Sequence, residues 1–127
     1  MWNEPTKKRL SQMPSIYKNQ HLPLQQQEVW LHFFIGGCDW YAVSFDHEGG
    51  DLFFGFVILN NQYQDSEWGN FSLSEMRSIK ISGFLEIDCE LEQHWQVREA
   101  SQVDRICLAQ GWLMPNLVSK RMDNITA

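Results

Sequence analysis

The sequence predicts an α+β fold: a single domain with a mainly antiparallel sheet and two short helices. Three observations lead there. Residues 29–35, 38–45 and 52–59 are dense in aromatic and β-branched side chains and are divided by Gly-bearing connections, as in hairpin-linked strands. Ser72-Leu73-Ser74-Glu75 has the form of a capping box, in which a hydroxyl takes an orphan helix amide and a Glu three residues on reaches back. Residues 84–92 alternate strictly, with Leu85, Ile87, Cys89 and Leu91 on one side and Glu86, Asp88, Glu90 and Glu92 on the other. A period of two is that of a strand with one buried face.

Taken in chain order, residues 1–28 are polar, hold three of the four prolines and include Gln25-Gln26-Gln27. They read as an N-terminal arm or loose lead-in, with a short helix around 6–13. The domain proper spans 29–115. Val29-Trp30-Leu31-His32-Phe33-Phe34-Ile35 is the first strand, Gly36-Gly37 the turn, and Cys38-Asp39-Trp40-Tyr41-Ala42-Val43-Ser44-Phe45 its partner. A loop at 46–51 leads to the third strand. Gly55, alone among Phe53, Phe54 and Phe56, marks a bulge or a close backbone approach. After a turn-rich stretch at 60–67, a short fourth strand is expected at 68–71. Leu73, Met76 and Ile79 share one side of the helix that follows, which should end near Lys80 or Ser82-Gly83. A last helix is expected over about 99–110, burying Val103, Ile106 and Cys107, with Gly111 closing it. Residues 116–127 read as a C-terminal tail.

Composition narrows the function. Of 127 residues, 43% are apolar and 20% charged, which excludes charge-driven disorder. The net charge is −6 and unevenly placed. Residues 39–104 hold thirteen acids against Arg77, Lys80 and Arg98, a net −10, while each end carries +2. An acidic body argues against direct nucleic-acid binding through phosphate neutralisation. No stretch approaches the roughly 20 apolar residues of a membrane span. The N-terminus lacks an apolar signal-peptide core, so a cytoplasmic protein is expected. Cys38, Cys89 and Cys107 are odd in number and widely spaced, which does not suit a disulfide framework.

Among candidate sites the acidic run is the sharpest. Carboxylates on alternate strand residues stand about 6.5–7 Å apart, close to the phosphate spacing of a nucleic-acid strand. Glu86, Asp88, Glu90 and Glu92 would thus imitate a DNA backbone, or simply form a solvated edge that resists aggregation. Asp65, Glu67 and Trp68 form a second candidate: a Trp beside acids at a loop end can anchor a partner or fold over the sheet. Cys38, His47 and Asp51 have residue types that suit catalysis or a metal. No metal-ligand spacing, phosphate loop or nucleophile elbow accompanies them. No catalytic residue, metal or cofactor is therefore assigned. The aromatics read mainly as core.

Four motifs occur in a familiar order: Asp39-Trp40-Tyr41-Ala42-Val43, Asp51-Leu52-Phe53-Phe54-Gly55, Gly69-Asn70-Phe71-Ser72-Leu73-Ser74-Glu75-Met76, and Gly83-Phe84-Leu85-Glu86-Ile87-Asp88. Across about 29–107 the chain resembles the family called domain of unknown function 2958, carried by plasmids, conjugative elements and phages. It departs from that pattern at Asn70, where an aromatic is commoner, and in a longer acidic connection at 60–67. The resemblance implies an accessory protein of a mobile element and carries over no catalytic residue. The expectation is a non-enzymatic binding protein whose acidic face docks a protein with a basic surface, such as a host nucleic-acid-handling or defence complex. The alternative is a small enzyme or ligand-binding module using the aromatic sheet, for which a concave pocket would be the sign.

Overall fold

The computed structural model describes residues 3–81 and 85–115. The expected tail at 116–127 and the Ser82-Gly83 helix stop, with Phe84, lie outside the described residues. The architecture is α+β, as the sequence predicts. Strands β1 (Glu28–Val29), β2 (Leu31–Ile35), β3 (Cys38–Phe45), β4 (Leu52–Ile58), β5 (Glu67–Ser72), β6 (Lys80–Ile81), β7 (Leu85–Glu86), β8 (Asp88–Cys89) and β9 (Arg98–Glu99) are joined by helices α1 (Lys7–Gln12), α2 (Leu73–Ser78) and α3 (Asp104–Gln110). The main sheet has the order β5-β4-β3-β2-β8, and β1-β9 and β6-β7 form two-stranded ribbons. Among the described residues the strand ladders are antiparallel, and an isolated parallel bridge joins Ser15 to Phe45.

β2 and β3 form the expected hairpin, with Ile35 opposite Cys38 and Leu31 opposite Ala42. The β3–β4 ladder slips between Ala42 and Ser44, which leaves Val43 as the extra residue of a bulge. Gly55 sits against that region. A Cβ on it would stand 2.0 Å from the Tyr41 carbonyl oxygen, so only glycine lets the two backbones approach this closely.

Apolar clusters pack on both faces of the sheet. On one, Leu31, Phe33, Trp40, Phe53, Phe71, Met76 and Ile87 pack together; on the other, Tyr41, Val43, Phe56 and Ile58 pack against Trp95, Val103 and Ile106. Phe33, Phe53 and Phe56 are fully buried, and each contributes about 1.5–3 kcal/mol by leaving water. The Trp95 indole is anchored by its Nε1–H, which donates to the Val29 carbonyl at 3.0 Å.

The helix ends follow the local chemistry. Ser72 Oγ accepts from the Glu75 amide at 3.0 Å and donates to Glu75 Oε1 at 3.1 Å. The capping pair therefore closes through the hydroxyl. Helix α2 stops at Ser78. The last helix starts at Asp104, later than the pattern suggests, because Arg98–Glu99 pairs with Glu28–Val29 and residues 100–102 form a 3-10 turn. Gly111 closes it in the left-handed conformation, φ 71°, where glycine has no Cβ penalty.

Residues 3–27 pack on the domain rather than trailing from it. Met13 is 3% exposed and Arg9 8%, and Arg9 Nη1 donates to the Glu90 carbonyl at 2.9 Å. Leu10 and Met13 pack into the cluster that holds Leu31, Phe33 and Phe53. Among the described residues no helix is long and apolar enough to cross a membrane.

Candidate functional site

The alternating run at 84–92 does not build one strand. β7 pairs with β6, while Asp88 and Cys89 pair with Phe34 and Phe33 of β2. The chain then turns so that the amides of His94 and Trp95 donate to the Leu91 carbonyl. Ile87 and Cys89 are buried as the alternation predicts, but Leu91 is 39% exposed. Alternation sets which way a side chain faces; a ladder also needs a neighbouring strand, and here neighbours exist only in short stretches.

The four acids are therefore not equivalent. Asp88 Oδ1 accepts from both the backbone and side-chain nitrogens of Asn3, each at 2.8 Å, and from the Cys89 amide at 2.9 Å. Glu90 Oε1 lies 2.6 Å from His32 Nδ1. Glu86 is half-buried and Glu92 exposed in a turn. Asp65 and Glu67 are exposed, at a 3-10 turn and at the start of β5. Trp68 is half-buried. Its ring stacks with Phe54 (centroids 5.9 Å apart) and leans on Phe56 (5.1 Å), and its Nε1–H donates to Gln110 Oε1 at 3.0 Å.

The densest charged constellation joins residues that no sequence motif links. His32 on β2 places Nε2 2.7 Å from Asp39 Oδ1 and Nδ1 against Glu90, while Arg105 on α3 places Nη2 2.7 Å from Asp39 Oδ2. An ionised carboxylate only accepts, so each of the two His32 contacts needs its own hydrogen between nitrogen and oxygen. Tyr41 stacks on the imidazole, centroids 4.5 Å apart and planes 5° from parallel. Burial, with Asp39 beside it, pushes the Tyr41 hydroxyl well above its ordinary pKa. Arg105 Nη2 also donates to Asn61 Oδ1 at 2.9 Å. The network links α3 and the 60–65 connection to the sheet.

Cys38, His47 and Asp51 lie in three separate places. Cys38 Sγ accepts from the Asn60 amide at 3.4 Å. His47 Nε2 lies 2.7 Å from the Met13 carbonyl oxygen. Asp51 Oδ2 accepts from the Ser74 amide at 2.9 Å, in the first turn of α2, and that bond holds its carboxyl below the ordinary aspartate pKa. Cys89 and Cys107 are buried, and burial pushes the Cys89 thiol up to about 12. Among the described residues, no group of three or more His, Cys, Asp and Glu side chains could hold a metal ion.

Among the described residues a sizeable concave surface remains open. A groove of about 610 Å³ runs between the 16–27 segment and the β4–β5 part of the sheet, with Tyr17, Leu22, Leu24, Leu52, Phe54 and Asp46 in its lining. That volume lies within the range of small-molecule sites. The outward side chains of β4 build its floor, since Leu52 and Phe54 flank the buried Phe53. The second wall comes from the segment expected to be an arm. A signal for the groove was present in the sequence: Leu52-Phe53-Phe54 is apolar on both faces, and Ile16, Tyr17, Leu22 and Leu24 are apolar residues of a polar stretch that line the same groove.

Fold and site together define a small α+β domain with a self-paired charged network and an open, largely apolar groove. Compared with family models, curated proteins and solved structures, the chain finds no match.

Proposed function

We propose that this chain is a binding protein that takes a small, mainly apolar ligand into the groove between residues 16–27 and the Leu52/Phe54 face of β4. The observation that carries this reading is the groove itself: about 610 Å³ of concave surface with Leu22, Leu24, Leu52 and Phe54 in its lining. Apolar walls drive entry and the few polar groups set orientation. A titration of small aromatic compounds, followed by NMR shifts, tests it. Shifts should gather at Tyr17, Leu24 and Phe54 and vanish in Leu24→Asp, while that variant keeps its native circular dichroism. Shifts scattered over the surface would defeat the reading.

A second reading rests on the charge distribution. The net −10 of residues 39–104, with Asp65, Glu67 and Glu92 exposed, supports docking to a protein with a basic surface, where carboxylates speed association at low salt. On the resemblance to the domain of unknown function 2958 family, such a partner would be a host nucleic-acid-handling or defence complex. Glu86, Asp88, Glu90 and Glu92 would contribute unequally, because Asp88 and Glu90 already accept internal bonds. Reversing Asp65, Glu67 and Glu92 together should abolish salt-sensitive capture of such a complex. Unchanged capture would count against this docking surface.

A further inference from the structure

We infer that the groove selects a small organic cation: an ammonium or guanidinium group on an apolar body, paired with Asp46. This rests on the groove being a ligand site and adds the charge of the ligand. Asp46 is the one carboxylate in the described lining, and no Lys or Arg accompanies it there. The other polar lining side chains are the amides of Gln20, Gln27 and Asn70 and the hydroxyl of Tyr17.

The position of Asp46 is built. Its amide donates to the Leu52 carbonyl at 2.9 Å, closing the base of the β3–β4 hairpin. Its Oδ1 accepts from the Glu48 amide at 2.9 Å, an Asx turn that holds the carboxylate in place. Its other oxygen, Oδ2, would stand 2.3 Å from a Cβ at residue 50, so Gly50 leaves the room this carboxylate occupies. Asp46 is half-buried beside apolar wall. A carboxylate so placed attracts a cation more strongly than it would in bulk water. An apolar neutral ligand would instead strip water from it without compensation. The rings of Tyr17 and Phe54 in the same lining suit a cation as well, through their negative faces. An anionic ligand meets both Asp46 and a net charge of −6.

Three probes of equal size test the charge: 3-phenylpropylamine, 3-phenylpropanol and 3-phenylpropionate, titrated into the full chain by NMR at low and at 0.5 M salt. The amine should bind about tenfold more tightly than the alcohol, with the carboxylate weakest, and salt should narrow the gap. Asp46→Asn keeps an oxygen for the Glu48 amide, so it should fold normally and erase the amine's advantage. Equal binding of amine and alcohol, at the groove and lost in Leu24→Asp, would overturn the cation while leaving the groove as a ligand site. Failure of all three probes to shift Tyr17, Leu24 or Phe54 would overturn both. A lysine-bearing dipeptide that binds where the amine does not would also overturn the small-cation proposal.

Discussion

Strand β3 is flanked by two aspartates whose surroundings differ. Asp39, near its start, has both oxygens engaged, by His32 and by Arg105, and its side chain is 11% exposed. Asp46, one residue beyond its end, has one oxygen in an Asx turn and lines an open groove. The difference teaches which charge serves the fold and which can serve a ligand. Both oxygens of Asp39 are already held by protein groups, and taking a ligand would mean breaking the bond to Arg105 of α3.

The largest expected effect breaks the closed end. Asp39→Ala leaves His32 and Arg105 without their shared acceptor, and loss of one partner of a buried pair should cost about 3 kcal/mol, read by urea denaturation. Asp46→Asn should cost less than about 0.5 kcal/mol. Similar urea midpoints for the two variants would erase the distinction between the ends.

Next in size is Gly55→Ala, between the two ends of the strand. Its Cβ meets the Tyr41 carbonyl oxygen, so the β3–β4 ladder must shift, at about 2 kcal/mol. Because Phe54 adjoins Gly55, probe affinity in the groove should fall with stability; a variant with native stability would show that the approach at Gly55 is not tight.

Raising the pH weakens the covered side in a defined direction. The Cys89 thiol is pushed up to about 12 by burial, whereas an unfolded thiol ionises near 8.5. The unfolded chain therefore releases its proton first. The stabilisation is complete below about pH 8.5 and is lost progressively as pH rises toward 12. Tyr41, also raised by burial, acts in the same sense above pH 10. A urea midpoint that falls between pH 8 and 11, and falls less in Cys89→Ala, is the expected result. Under native conditions a thiol reagent should label Cys38 well before Cys89 or Cys107.

The smallest effect concerns Asp51, whose bond to the Ser74 amide lowers its pKa. Its contribution is present above the unfolded value near 3.9 and is lost as pH falls through the lower folded value. Asp51→Asn keeps an acceptor but removes the charge from a helix start, a surface effect of about 0.3–0.5 kcal/mol. Helical circular dichroism between pH 3 and 6 would register it, and identical curves for the two proteins would dismiss it.

The hairpins, the Ser72–Glu75 cap and the Gly111 stop were readable because each depends on neighbours in sequence. Residues 84–92 were readable only in part. Their alternation correctly buries Ile87 and Cys89, yet the single strand and the buried Leu91 do not form, because the ladder with β2 covers Phe33 and Phe34, gains one further bond from the Glu90 amide to the His32 carbonyl, and then gives way to a turn at 92–94. Of the candidate site, Phe54 and Leu52 carried a signal in their two-sided apolar pattern, whereas His32–Asp39–Arg105 carried none. Seven residues separate the first two and 66 the last two, and only the β2–β3 register with the placement of α3 brings them together.

By itself, then, the sequence determined the α+β class, the positions of most strands and helices, and an acidic middle of net −10. Periodicity, capping chemistry and composition are local properties, and they act before any two distant segments meet. Tertiary structure decided how the acids are used and where the apolar leftovers of the N-terminal stretch settle. Pairing of a charge and closure of a groove both depend on which distant surfaces come within a few ångströms of each other. That is why the alternating acids marked the chain most clearly, while the aspartate with an open surface before it lies in the loop after β3.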